Sequence, residues 1–222
     1  MAYDLEEQEQ LDTLKAWWKK YGNLVTWTLI VALGAYAAWT QWNNYKVSQS
    51  TQASQLYDEL QAALISKDSA KVQRAVSDIT EKYPSSAYAA MAAMSAAKNA
   101  FDANDLKAAK TQLNWILEHG KLEEFKGVAK IRLAGIALDE NAYEDGLKFL
   151  AGEFPSELMG EVADRKGDIF FAQKKLSEAR QSYQLALDTL KSKDPLRQLV
   201  QIKLDALGGS TESLTARNDT AK

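Results

Sequence analysis

One uncharged stretch near the start constrains this chain more than any other feature. From Tyr21 to Tyr45 no Asp, Glu, Lys, Arg or His occurs, and the segment Leu24-Val25-Thr26-Trp27-Thr28-Leu29-Ile30-Val31-Ala32-Leu33 is almost wholly apolar. Taken as a helix of about 1.5 Å per residue, residues 21–42 span roughly 33 Å, enough to cross a hydrocarbon core. No other segment has that length and composition. A cleaved secretory signal is the competing reading, since Ala35-Tyr36-Ala37 has the small-x-small pattern of a cleavage site. The long, mostly acidic segment before the run, its continuation past Ala37 and Trp39 just beyond favour an uncleaved anchor.

The basic residues orient that anchor. Lys15, Lys19 and Lys20 precede it, and only Lys46 follows closely. Lys and Arg resist translocation whereas acids contribute little, so residues 1–20 are expected in the cytoplasm and the chain after Trp42 outside it. Trp17, Trp18 and Tyr21 at one end, and Trp39, Trp42 and Tyr45 at the other, fall where interfacial aromatic belts belong. Gly34, Ala35 and Ala38 form a small-residue face that suits packing against another membrane helix.

Beyond the anchor the chain reads as all-α. Its prolines are Pro84, Pro155 and Pro195, and apolar residues recur three and four apart, as in Leu56, Leu60, Ala63 and Leu64. Polar turns such as Ser66-Lys67-Asp68, Asp102-Ala103-Asn104-Asp105 and Asp139-Glu140-Asn141 break these stretches into hairpins. A large–small–large skeleton repeats: Val72, Ala75, Ile79; Leu106, Ala109, Leu113; Tyr143, Gly146, Leu150; Leu176, Ala179, Tyr183. The leading residues are 34, 37 and 33 apart, the period of tetratricopeptide-type helix pairs. Gly167 would let one helix approach its partner, with Ala63, Ala97 and Ala134 in its place in earlier units. An irregular helical bundle is the alternative. The expected core includes Met91, Met94, Trp115, Leu133, Ile136, Phe149, Phe170 and Leu199, with the alanine-dense 87–100 helix internal. Residues 43–207 make the domain; residues 208–222 read as a polar, disordered tail.

The residues carry no catalytic constellation. The chain has no cysteine and one histidine, His119, which excludes disulfides, thiolate chemistry, a His-based triad and an ordinary transition-metal site. In the His119-Gly120 turn the ring suits a helix C-terminus. With 27 basic against 30 acidic residues there is no field for nucleic acid. Glu161, Asp164 and Asp168 share a helix face with Arg165 and Lys166 beside them, which reads as a solvated acidic face. No cofactor, metal or enzymatic activity is expected; binding remains. The first helices of such pairs line a groove, here Tyr57, Leu60 and Leu64, then Met91, Met94 and Phe101, then Val128, Ile131 and Leu138, then Glu161, Asp164, Asp168 and Phe171. That groove would be apolar at one end and acidic at the other, and many of its apolar members also suit a core position.

The order of parts carries a resemblance. An acidic segment, Tyr3-Asp4-Leu5-Glu6-Glu7-Gln8-Glu9-Gln10, leads into Leu14-Lys15-Ala16-Trp17-Trp18-Lys19-Lys20-Tyr21-Gly22, then the anchor, Trp39-Thr40-Gln41-Trp42-Asn43 and atypical tetratricopeptide pairs. This resembles the YfgM-like family of bacterial inner-membrane proteins. The resemblance implies an ancillary subunit of the SecYEG translocon, its periplasmic domain working with a membrane-anchored chaperone of the PpiD type and with emerging secretory proteins. It transfers no catalytic residue. The alternative is a membrane-anchored adaptor for envelope or division machinery that binds no client.

Overall fold

The computed structural model describes the backbone of residues 2–208 and side chains from residue 9 onward. Among these residues there are nine α-helices, one short 3-10 turn and no strand. They fall into two compact units that meet at Thr51/Gln52. The first is the greater part of α1 (Ala2–Ile65). Its apolar residues face solvent, Leu24, Val31, Leu33 and Trp39 each being about two-thirds exposed. By length and composition this helix is apolar enough to cross a membrane.

The second unit pairs the end of α1 with α2 (Ser69–Lys82), α3 (Ala87–Asp102) with α4 (Leu106–His119), α5 (Glu123–Asp139) with α6 (Tyr143–Phe149), and α7 (Met159–Ala172) with α8 (Leu176–Thr189). The last helix, α9 (Leu196–Ala206), packs on α8. Each hairpin turns in the same way. Lys67, Asn104, Asn141 and Lys174 take left-handed backbone angles, φ 55 to 62°. The next N–H reaches back five residues to a carbonyl in every case: Asp68 to Ala63, Asp105 to Ala100, Ala142 to Ala137, Lys175 to Phe170. This is the Schellman closure of a helix C-terminus. Asp68 and Asp105 then accept from the N–H of Lys71 and Ala108 and cap the following helix.

These turns fix the register at 37, 37 and 33 residues. The first unit therefore sits one helical turn away from the sequence reading: Val72 matches Ala109, not Leu106, and Leu60 rather than Ala63 matches Ala97, Ala134 and Gly167. An amphipathic helix nearly repeats itself every three or four residues, so a one-turn slip preserves the apolar pattern and passes unnoticed.

Four small cores run in series, as in a solenoid where each unit touches only its neighbours. Leu60, Val72, Val76 and Ile79 lie in the first, and Ala97, Leu113, Ile116 and Leu133 in the second. Ala134, Leu150 and Ile169 lie in the next, and Ala179, Tyr183, Val200 and Leu204 in the last. The internal α3 buries Ala89, Ala90, Ala92, Ala93 and Ala97, as its composition predicts. Leu133 and Ile136 are buried, and Met94, Trp115, Phe149 and Phe170 pack against the cores. Leu199 departs from expectation: it is half exposed, because Val200 and Leu204 supply the inner face of α9. His119 ends α4, stacked on Trp115 at 5.0 Å with Nδ1 3.2 Å from the Trp115 carbonyl. Beyond Gly208 the expected tail lies outside the described residues.

Candidate functional site

Equivalent helices in successive pairs, α3, α5 and α7, lie side by side and enclose a groove of about 330 Å³. Lys98, Phe101 and Asp102 come from α3, Arg132, Gly135 and Asp139 from α5, and Arg165 from α7; Ala97, Leu113 and Ile136 close the floor. Phe101, next to last in α3, is 44% exposed although it is a large aromatic. Lys98 pairs with Asp102 one turn on. Arg132 is exposed and makes no hydrogen bond or ion pair among the described residues. Arg165 donates weakly to Asp168, Nη1 to Oδ2 at 3.3 Å, while its Nε is buried without a partner. The Arg165 guanidinium lies across the α5 backbone, where a side-chain carbon at Gly135 would sit 3.5 Å from its Cζ.

Behind this groove α7 carries a buried polar knot. Lys203 of α9 donates to both oxygens of Asp164, at 2.7 and 2.9 Å, and pairs with Asp168 at 2.7 Å. The Tyr183 hydroxyl donates to Asp168 at 2.9 Å, and the Lys203 ammonium lies 5.6 Å from the Tyr183 ring centre. Burial raises the Asp164 carboxyl above its ordinary value, with the neighbouring Asp168 charge acting in the same direction and Lys203 opposing both. Burial likewise raises the Tyr183 phenol, and so does Asp168. Glu161 is also raised, first by partial burial and then by Asp194, while Arg132 and Arg165 both pull it down. The solvated acidic face read from the sequence is thus corrected at Asp164, which is 6% exposed. Lys203 lies 39 residues away, beyond the reach of local pattern.

The residues expected to line a groove are distributed over several places. Tyr57 and Leu64 pack on the first core and Leu60 lies within it. Met91 and Val128 are half-buried, and Met94 packs on the second core. Ile131 is buried and Leu138 packs beside it. Phe101 lines the groove, Phe171 is exposed elsewhere on α7, and Glu161 is exposed within the field of the two arginines. The sequence reading passed over Lys98, Arg132 and Gly135, and named Arg165 only as a neighbour of the acidic face. A signal existed: Arg132 and Arg165 each stand nine residues before the left-handed residue of their own unit, Asn141 and Lys174.

Serial helix pairs, identical turns and an open groove on the first helices define a tetratricopeptide-type scaffold with an apolar helix ahead of it. A family described as "Tetratricopeptide repeat-like domain" matches residues 15–209. A protein of Neisseria gonorrhoeae named "Ancillary SecYEG translocon subunit" is 31% identical over 208 residues, covering 93% of this chain and 100% of the relative. Proteins of the same name from Haemophilus influenzae and Escherichia coli are 28% and 23% identical, covering 82% and 90% of this chain and 92% and 96% of the relatives. The chain belongs to the YfgM-like family of tetratricopeptide repeat-like proteins. The domain and the names of its relatives are those of a scaffold family and not of an enzyme.

Proposed function

We propose that this chain is an ancillary subunit of the bacterial SecYEG translocon, anchored in the inner membrane with residues 1–20 in the cytoplasm. Residues 43–207 then stand in the periplasm, where they hold a PpiD-type chaperone, emerging secretory segments, or both, at the channel exit. The names of the relatives and their near-complete coverage support the translocon association. One observation carries the binding role: the α3–α5–α7 groove leaves Phe101 and Arg132 open to solvent on a repeat-built surface. The asymmetry of Lys15, Lys19 and Lys20 against Lys46 supports the orientation. Tethering supplies a high local concentration, so contacts at the groove need not be strong alone.

Affinity purification of the full-length, C-terminally tagged protein in mild detergent tests this reading. Translocon subunits and a periplasmic chaperone are expected in the eluate, and their loss when residues 1–42 are replaced by an unrelated anchor assigns that binding to the membrane helix. Division or envelope-assembly factors without any translocon subunit would overturn the reading in favour of the adaptor.

A further inference from the structure

We infer that the α3–α5–α7 groove is a subsite for an acidic residue of an extended peptide, with Arg132 and Arg165 taking the side-chain carboxylate and Phe101 the apolar residue next to it. The inference deepens the binding role proposed above by naming the chemistry of the segment bound.

Three observations converge. The two arginines occupy the same register position on adjacent helices, so the repeat itself places two guanidinium groups on one wall of one groove. Both have donor capacity to spare: Arg132 makes no hydrogen bond or ion pair among the described residues, and Arg165 bonds only weakly, through Nη1, to an Asp168 already held by Lys203 and Tyr183. Guanidinium donors match a carboxylate bidentately, which makes such a pair selective as well as attractive. Thirdly, one carboxylate already feels both groups, since Arg132 and Arg165 each lower the Glu161 pKa without forming an ion pair within 4 Å. A ligand carboxylate would take up donors that Glu161 leaves free. Gly135 lets the Arg165 guanidinium lie close over the α5 backbone, where an added Cβ would already be in van der Waals contact with it, 3.5 Å from Cζ.

The opposite end of the groove selects the occupant. Asp102 and Asp139 line it, and among the described residues only Asp102 forms an ion pair, with Lys98. Polyphosphates and nucleotides would meet this acidic end, and a volume of about 330 Å³ lies at the low end of small-molecule sites. A peptide carries one carboxylate to one end and backbone N–H groups to the other, which fits both charges.

The test uses the full-length protein in nanodiscs and two fluorescein-labelled peptides, Gly-Phe-Asp-Gly-Ser and Gly-Phe-Asn-Gly-Ser, both amidated, followed by anisotropy. The Asp peptide is expected to bind about tenfold tighter than the Asn peptide, the scale of charge-assisted hydrogen bonding, and the preference should shrink with added salt. Arg132→Gln, an exposed change that leaves the cores untouched, should abolish the preference; Arg132→Lys should keep part of it, and Phe101→Ala should weaken both peptides. Equal affinity for the two peptides, an undiminished preference in Arg132→Gln, or no binding of either at millimolar concentration overturns the inference. Failure of the translocon purification with the peptide preference intact removes the proposed function and leaves the subsite. Translocon recovery with no peptide preference does the reverse.

Discussion

Replacing Lys203 by Met gives the sharpest test of how the end of the repeat domain is held together. The ammonium supplies two bonds to Asp164 and one pairing to Asp168, whose side chains are only 8% and 15% exposed. Methionine matches the length of the alkyl stem but leaves Asp164 with no partner in a nearly dry site. Asp168 retains the Tyr183 hydroxyl and Arg165. Breaking one side of a buried pair costs about 3–5 kcal/mol, and because Asp168 stays partly satisfied the lower figure, roughly 3 kcal/mol, is expected here. The loss should depend on pH. The Asp164 carboxyl is raised in the folded state, chiefly by burial, even with Lys203 present, and removing Lys203 takes away the main group opposing that shift. A carboxyl whose folded pKa exceeds its unfolded value binds its proton more tightly when native, so stability increases as pH falls through the folded pKa and levels off below the unfolded one. Lys203→Met should therefore be weakest at neutral pH and recover on acidification, and Asp164→Asn combined with it should remove both the loss and its pH dependence. Native-state hydrogen exchange of α7, α8 and α9 in the full-length protein measures this directly. A loss under about 1 kcal/mol at pH 7, or one that does not change toward acid, would refute the buried-knot reasoning.

Other expectations are equally concrete. At Gly167 an added Cβ would lie 2.4 Å from Tyr183 Cε1, so Gly167→Ala should lose roughly 1–3 kcal/mol by overpacking despite a helix-propensity gain of about 1 kcal/mol. Adding Tyr183→Leu rebuilds the Ala/Leu pairing of the middle units and should return much of that loss in urea denaturation. Lys174 holds a left-handed conformation that suits glycine, so Lys174→Gly should stabilise the domain by about 0.5–1 kcal/mol, read as a higher thermal midpoint. The Ser86 side chain accepts from the Ala89 N–H at the start of α3, and Ser86→Ala should cost about 1 kcal/mol in the same assay.

Period, helix composition and the apolar span were legible because each is written locally. Ala87 to Ala100 could pack only as an inner helix, and the Asn104 and Asn141 turns announced themselves by residue type. Register in the first unit was not, because Val72, Ala75 and Ile79 keep the same apolar spacing whether Val72 is matched to Leu106 or to Ala109. The groove was hidden for a different reason: scanning for apolar first-helix positions selects residues such as Leu60 and Ile131, which the neighbouring pair then buries. Polar residues that recur in register, Arg132 and Arg165, carry the opposite signature. The acidic face failed at Asp164 because its counter-ion arrives from α9, and one helix read alone cannot show what covers it.

The structural counterparts Leu60/Val76, Ala97/Leu113, Ala134/Leu150 and Gly167/Tyr183 divide the space between paired helices in three ways, the two middle units sharing one. From Ala/Leu to Gly/Tyr one partner shrinks as the other enlarges, so the sum is kept while neither letter is. Divergence at these positions must then proceed by coupled exchanges, which blurs any single-column motif while the backbone period persists. For protein engineering the consequence is practical: a hairpin moved from one slot to another brings its own lock and key, but half a hairpin does not.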